Sequence, residues 1–162
     1  MKTLVLGTLM LLVSVSANSQ IIFDKDTDSV PHKNYKFIHL IALDSNQTAY
    51  KSFGQFMTDK GSSISTGNID FLSMTTQYAP LGLFDLNVSY QVTIKGHDIK
   101  ITTYDKLGEG VTVRSGMMAV DLGTPTQLYY SESIMLRAKK VWYKIVGFLS
   151  QYPHSKIYYS LN

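Results

Sequence analysis

The 162-residue sequence contains no cysteine. Disulfide bonds, thiolate metal sites and cysteine nucleophiles are therefore excluded, and so is a lipid anchor attached to a cysteine after signal cleavage. Secreted domains too small to build a core usually depend on disulfides. Here roughly 143 residues remain when the predicted signal peptide (1–19) is subtracted, which is enough for one core without cross-links. We therefore expect a single domain.

Glutamate is also scarce, because Glu109 and Glu132 are the only two and the other acidic residues are aspartate. Aspartate favours turns and strand ends over helix interiors, which predicts a sheet-rich fold. The formal net charge is only +3. A charge this small does not steer a protein towards nucleic acid, so we expect no nucleic-acid binding.

The N-terminus has the three parts of a signal peptide. Lys2 is the basic part, and residues 4–13 are an apolar run too short to cross a bilayer, which needs about 20 residues. Small residues follow at the positions that signal peptidase reads, namely Val15, Ala17 and Ser19. We predict cleavage after Ser19, with cleavage after Ala17 as the alternative. The expected location is the periplasm or cell exterior of a bacterium.

Residues 20–34 are polar and without periodicity, which predicts a leader loop. Its aspartates alternate like the first ligands of a calcium loop: Asp24, Asp26 and Asp28. The glycine and the bidentate glutamate that such a loop requires are replaced by Ser29 and Tyr35. We therefore interpret the segment as solvated and predict no metal site.

From residue 35 onwards the apolar pattern alternates between strand and helix periods. The predicted elements are a strand (35–43), a helix (48–60), a strand (70–78), a hairpin (86–95 and 99–104), one edge strand (111–120), a helix (131–152) and an aromatic tail (156–162). The order is strand, helix, strands, helix. It predicts an α+β domain over 35–162, with a single antiparallel sheet of four to five strands and two helices packed on one face.

The predicted hairpin has the clearest periodic pattern in the sequence. Apolar residues occupy the even positions of 86–95 and polar residues the odd positions, which predicts one buried and one solvated face. We name the polar positions the polar row: Asn87, Ser89, Gln91, Thr93 and Lys95.

Two segments carry a family resemblance. These are NQTAY at 46–50, which opens the first predicted helix, and YQVTIKGHDI at 90–99 in the hairpin. With the order of elements, they resemble a family of secreted bacterial domains of unknown function described as having a TATA-binding-protein-like fold. The resemblance covers roughly 35–105 and the last helix. It implies a fold, but no activity, catalytic residues or DNA binding.

No motif for catalysis or metal binding is present. The four histidines are far apart, without the spacing of zinc ligands: His32, His39, His97 and His154. No serine stands in Gly-x-Ser-x-Gly. His39 lies in an apolar strand and is predicted to be a hydrogen-bonded core residue. We predict a protein that is not an enzyme and has no cofactor.

Two functional hypotheses remain. In the first, the polar row or an exposed strand edge binds an unknown protein, peptide or surface polymer. In the second, the domain carries an apolar small molecule between the sheet and the last helix. The residues that would line the carrier site are Met117, Met118, Met135 and Trp142. Basic residues on the last helix also suggest weak membrane contact: Arg137, Lys139, Lys140 and Lys144.

Overall fold

The computed structural model describes residues 27–83, 86–107, 112–115, 118–121, 124–131 and 136–162. The predicted signal peptide lies outside the described residues. The described elements are β1 (Thr27–Asp28), β2 (Phe37–Ala42), α1 (Asn46–Asp59), β3 (Ile64–Asn68), β4 (Ser73–Thr76), β5 (Ala79–Pro80), β6 (Leu86–Lys95), β7 (Asp98–Leu107), β8 (Thr112–Ser115), β9 (Met118–Asp121), β10 (Thr126–Gln127), α2 (Leu136–Leu149) and β11 (His154–Ser160).

The main sheet has the strand order β1-β11-β2-β7-β6-β4-β3, with β10 paired to β7 and β5 paired to β6. Every pairing is antiparallel. With two helices, this confirms the predicted α+β class. The prediction of four to five strands was wrong, because the described residues alone give this sheet nine strands. Three of them are two-residue strands, too short to leave a periodic pattern in the sequence.

Helix α1 confirms the first predicted helix. Ala49, Phe53 and Met57 recur every fourth residue and are buried, which places one apolar stripe on the sheet. The helix ends at Asp59, and Gly61 follows it with a φ of 85°, in the left-handed region that suits glycine. The Ser62 amide then donates to the Met57 carbonyl over 2.8 Å.

The predicted hairpin is formed by β6 and β7, paired from Lys95 opposite Asp98 to Leu86 opposite Leu107. Its turn is tied to the start of α1. The Gly96 amide donates to Asn46 Oδ1 over 3.1 Å, and the Asn46 amide donates to the Gly96 carbonyl over 2.8 Å. This contact fixes where α1 begins relative to the sheet.

The segment 70–78 was predicted as one strand but is shorter in the structure. Strand β4 covers only Ser73–Thr76, because a turn at residues 69–72 joins it to β3. Asn68 Oδ1 accepts the amides of Asp70 and Phe71, each over 3.0 Å. A side chain that bonds its own backbone in this way competes with a strand.

The edge strand predicted over 111–120 is instead two strands. β8 and β9 pair with each other as a separate two-stranded sheet. The second predicted helix is confirmed as α2, which ends at Leu149 rather than at residue 152. The three residues after it form a turn instead, in which the Tyr152 amide donates to the Leu149 carbonyl over 3.1 Å.

The prediction that residues 156–162 form only an aromatic tail was wrong. Most of it belongs to β11, an interior strand between β1 and β2. Tyr159 pairs with Ile38 and is 8% exposed, whereas Lys156 pairs with Ile41 and is exposed. Because the outer partner β1 comes from the predicted leader loop, the register of β11 depends on contacts distant in sequence.

Both helices pack on the same face of the sheet. Phe148 of α2 stacks on Tyr90 of β6, with ring centroids 5.6 Å apart, and Trp142 lies 6.1 Å from Tyr159 of β11. Phe56 of α1 contacts Phe148 at 5.6 Å, so the two helices also touch each other. Each large apolar side chain buried in this layer contributes about 1.5–3 kcal/mol. The opposite side of the sheet is called the open face below.

Candidate functional site

The open face is formed by alternate residues of β11, β2, β7 and β6. The pairing register places Lys156, Ile41, Asp98 and Lys95 in one row across these strands. A second row consists of Tyr158, His39, Lys100 and Thr93. In an antiparallel sheet, residues that pair directly point to the same face, so these side chains share one surface.

Most of the predicted polar row lies on this face as expected. Gln91, Thr93 and Lys95 are exposed, and Asn87 is half-buried. Ser89 differs, because it is only 3% exposed. These positions alternate with buried apolar residues, so the period of the sequence did predict which face of β6 is solvated.

Ser89 is buried because β4 leaves β6 at this point. The Ser89 hydroxyl donates to the Thr76 carbonyl over 2.7 Å, and the Tyr90 amide donates to Thr76 Oγ1 over 2.9 Å. Thr75 pairs with Gln91, but the next pairing is Ala79 with Val88, so β4 and β5 have one residue more than β6 here. Such a bulge redirects the strand. Ser89 therefore has a structural role, and the exposed members of the row are the ones available for binding.

A groove of about 640 Å³ lies at one end of the open face, beside the bulge. Its lining is Ser65, Thr75, Thr76, Gln77, Tyr78, Ser89, Gln91, Tyr104, Lys106 and Pro125. The Tyr104 hydroxyl donates to Gln91 Oε1 over 3.4 Å, and Lys106 Nζ lies 4.8 Å from the Tyr78 ring centroid. The groove thus offers hydroxyl groups, amides and aromatic rings, together with one ammonium group.

Burial raises the pKa of the Tyr78 phenol above its ordinary value, with smaller contributions from the charges of Asp105 and Tyr104. Tyr78 is therefore a neutral hydrogen-bonding group at physiological pH. Among the described residues that line the groove, none is aspartate or glutamate.

Sequence reasoning did not identify Tyr78, Tyr104 and Lys106 as site residues. Tyr104 pairs with Ser89 and Lys106 with Asn87, so both extend the polar row onto the neighbouring strand. The hairpin register, counted outward from the turn, would have found these two. The position of Tyr78 in the groove depends on the bulge between β4 and β5, and the spacing of residues in the sequence does not indicate that bulge.

His39, Asp98 and Ser160 form a hydrogen-bonded cluster on the open face. His39 Nδ1 lies 3.0 Å from each Asp98 carboxylate oxygen, and His39 Nε2 lies 2.9 Å from Ser160 Oγ. An ionised carboxylate offers only acceptors, so His39 Nδ1 is the donor in the contact with Asp98. His39 is 9% exposed, in agreement with the predicted hydrogen-bonded core histidine.

Carboxylate, imidazole and hydroxyl also occur in this order in serine hydrolases. A nucleophilic serine must reach a substrate carbonyl, but Ser160 is 2% exposed. Its hydroxyl donates to the Asn162 carbonyl over 2.8 Å, and its own carbonyl accepts the Lys36 amide over 3.0 Å. The three side chains come from β2, β7 and β11. We therefore interpret them as a clamp, called the His39 clamp below, that joins these strands.

The residues predicted to line a carrier site are described only in part. Met117 and Met135 lie outside the described residues, and only the backbone of Met118 is described, in β9. Trp142 is 2% exposed and lies between Tyr130 and Tyr159, with centroid distances of 6.0 and 6.1 Å. Its Nε1 is buried and has no hydrogen-bond partner among the described residues, as is the case for Thr103 Oγ1.

Of the three aspartates compared with a calcium loop, Asp24 and Asp26 lie outside the described residues. Asp28 lies 2.8 Å from His32 Nε2, and the hydrogen bond to His32 is the main cause of its lowered pKa. Within the described part of the chain, no group of three or more histidine, aspartate or glutamate side chains could hold a metal ion.

The basic residues predicted on the last helix lie on α2. Lys139, Lys140 and Lys144 are exposed, whereas Val141 and Ile145 face the core. Arg137 lies in the first turn, where only the backbone is described. Among the described helices, none is long and apolar enough to span a membrane.

Comparison with models of protein families finds none that matches the chain. A search of curated proteins gives no significant match either.

Proposed function

We propose that this chain is a non-catalytic binding domain of the bacterial cell envelope, made with a signal peptide over residues 1–19, which holds a protein, peptide or surface polymer on its open face. The groove beside Gln91 carries this proposal. It lies on the face of the sheet opposite both helices, and its described lining has many hydrogen-bonding groups and no carboxylate. Binding sites of this kind combine aromatic contact area with a few polar groups that select the ligand.

The exposed part of the polar row supports the same proposal. Gln91, Thr93 and Lys95 project from a hairpin whose other side is packed against the core, so the backbone beneath them is rigid. A rigid strand presents side chains with little loss of conformational entropy on binding. We also propose the likeness to the secreted family with a TATA-binding-protein-like fold, supported by the order of strand, helix, hairpin and helix.

A photo-crosslinking experiment tests the proposed binding face. A benzophenone amino acid replaces Gln91 on the open face or, as a matched control, Gln55, which is exposed on α1. Each variant is expressed in the native organism and irradiated in intact cells. We expect an adduct from position 91 and little from position 55. Adducts of equal yield from both positions, or from position 55 alone, would contradict the proposal.

A second candidate is a carrier of an apolar small molecule between the sheet and α2. It is favoured by the two unpartnered polar atoms in this layer, Trp142 Nε1 and Thr103 Oγ1. A buried donor without a partner costs about 1–3 kcal/mol, which a ligand with one polar group would offset. Native mass spectrometry of the protein from its own envelope would then show an extra mass that disappears on unfolding. A bare monomer would reject this candidate.

A further inference from the structure

Three of the lysines on the open face lie together at the end of the face that is away from the groove. Lys95 and Lys156 lie at the two ends of the first row described above, and Lys100 lies in the second row. Among the described side chains of β2, β6, β7 and β11, Asp98 is the single carboxylate on this face. Three lysines against one carboxylate make this end of the face electropositive.

The electropositive end and the groove lie on one line along the β6–β7 hairpin. Lys95 pairs with Asp98, and Lys106 in the groove is eight residues further along β7, so the line is about 26 Å long at 3.3 Å per residue. Thr93, Gln91 and Tyr104 lie between the two ends. A ligand that contacts the whole line must be a chain, because a single sugar or amino acid is too short.

Two of the lysine side chains on the open face are positioned by aromatic rings. Lys100 Nζ lies 3.8 Å from the centroid of the Phe37 ring. Lys106 Nζ lies over the Tyr78 ring in the groove. Cation–π contacts of this kind restrict long side chains, so less rotamer entropy is lost when an anion binds.

The same contacts argue against nucleic acid as the ligand. Proteins that bind single strands without sequence preference stack bases on open aromatic rings. On this face, lysine ammonium groups lie over Phe37 and Tyr78, and the Tyr104 hydroxyl is directed to Gln91. Hydroxyl and amide side chains between the cations match the hydroxyl groups of a sugar chain instead.

We propose that the ligand of the open face is an anionic polysaccharide, whose carboxylate groups contact Lys95, Lys100 and Lys156 and whose sugar hydroxyls bind in the groove. This inference rests on the proposed binding function and adds the chemical class of the ligand. Exposed ion pairs are individually weak, so the affinity depends on several of them acting along one chain. The affinity should fall as salt rises.

The test compares two variants that remove the same charge from different surfaces. The first is Lys95→Gln/Lys100→Gln/Lys156→Gln on the open face. The control is Lys51→Gln/Lys139→Gln/Lys140→Gln, at exposed positions on α1 and α2. Binding is measured by calorimetry with polygalacturonate, with neutral dextran and with single-stranded DNA, at low and physiological salt, after thermal melts have shown that both variants are folded.

We expect the unaltered protein to bind polygalacturonate better than dextran or DNA. The open-face variant should weaken this binding by about tenfold, since three weak ion pairs are lost, and the control should change it by less than about twofold. If dextran binds equally well and the open-face variant has no effect, the ligand is neutral, and the inference fails while the binding function stands. Tighter binding of DNA through the same lysines, or no binding of polygalacturonate, also overturns it.

Discussion

At the scale of single residues, the His39 clamp joins three strands of the sheet through side-chain hydrogen bonds. One imidazole contacts a carboxylate from β7 and a hydroxyl from β11. The sequence predicted a buried, hydrogen-bonded His39 because the residue stands in an apolar strand. The identity of its partners was not predictable, because Asp98 and Ser160 are 59 and 121 residues away in sequence.

Replacing His39 tests whether the clamp is structural. His39→Ala removes the imidazole that bonds Asp98 and one of the two partners of the buried Ser160 hydroxyl, so we expect the free energy of unfolding to fall by about 2–4 kcal/mol. His97→Ala is the control, since His97 makes one bond to the Ala42 carbonyl at 3.2 Å, and should cost less than about 1 kcal/mol. Urea denaturation measures both.

A second experiment tests whether Ser160 of the clamp is instead a catalytic nucleophile. A fluorophosphonate probe should fail to label Ser160 in the folded protein, because the side chain is buried. Labelling that disappears in Ser160→Ala, or equal stability of the two histidine variants, would contradict the structural interpretation.

The buried phenol of Tyr90 allows a prediction of how the stability of the protein depends on pH. Burial raises the pKa of its phenol above the ordinary value of about 10. The folded state therefore favours the neutral phenol, and this contribution to stability is fully present below about pH 10 and is lost as the pH rises through the folded pKa.

Tyr90→Phe keeps the ring that stacks on Phe148 but has no proton to lose. Its free energy of unfolding should therefore fall less than that of the unaltered protein between about pH 9 and 11. Tyr129→Phe, at a site that is 49% exposed, is the matched control and should follow the unaltered protein. Urea denaturation across this pH range measures the difference, and identical profiles for all three proteins would contradict it.

At the scale of elements, two glycines isolate the effect of backbone conformation. A Cβ built on Gly61 or on Gly147 meets nothing within 4 Å, but Gly61 has a φ of 85° and Gly147 lies within α2. Gly147→Ala should stabilise the protein by about 0.5–1 kcal/mol, because alanine favours the helix. Gly61→Ala should destabilise it by about 1 kcal/mol, because the left-handed conformation is strained for alanine. Thermal unfolding measures both, and shifts of the same sign would contradict the assignment.

The elements that the sequence predicted well have long periodic patterns. Helix α1 and the β6–β7 hairpin each bury one face regularly, so local spacing was sufficient. β11 was missed because its period is irregular, with a register shift between His154 and Lys156. β3 was missed because its residues are mostly exposed and polar. Pairing with neighbours, rather than its own pattern, makes each of these segments a strand.

At the scale of the whole molecule, one sheet has a face packed against two helices and a face that the helices leave uncovered. The alternation in β6 predicted that the sheet has a solvated face, and with it most of the polar row. The groove was not predictable, since it is formed by β4, β6, β7 and the segment around Pro125. The concentration of lysine at one end of the open face likewise depends on the register that aligns Lys156 with Lys95.

The sequence alone determined the α+β class, the antiparallel hairpin, the two helices and the solvated side of β6. These follow from the spacing of apolar residues, which is a local property of the chain. The tertiary structure decided the number of strands, the place of β11, the partners of His39 and the shape of the groove. Each of these depends on which distant strands pair and in what register, and pairing energies arise from contacts that no single segment contains.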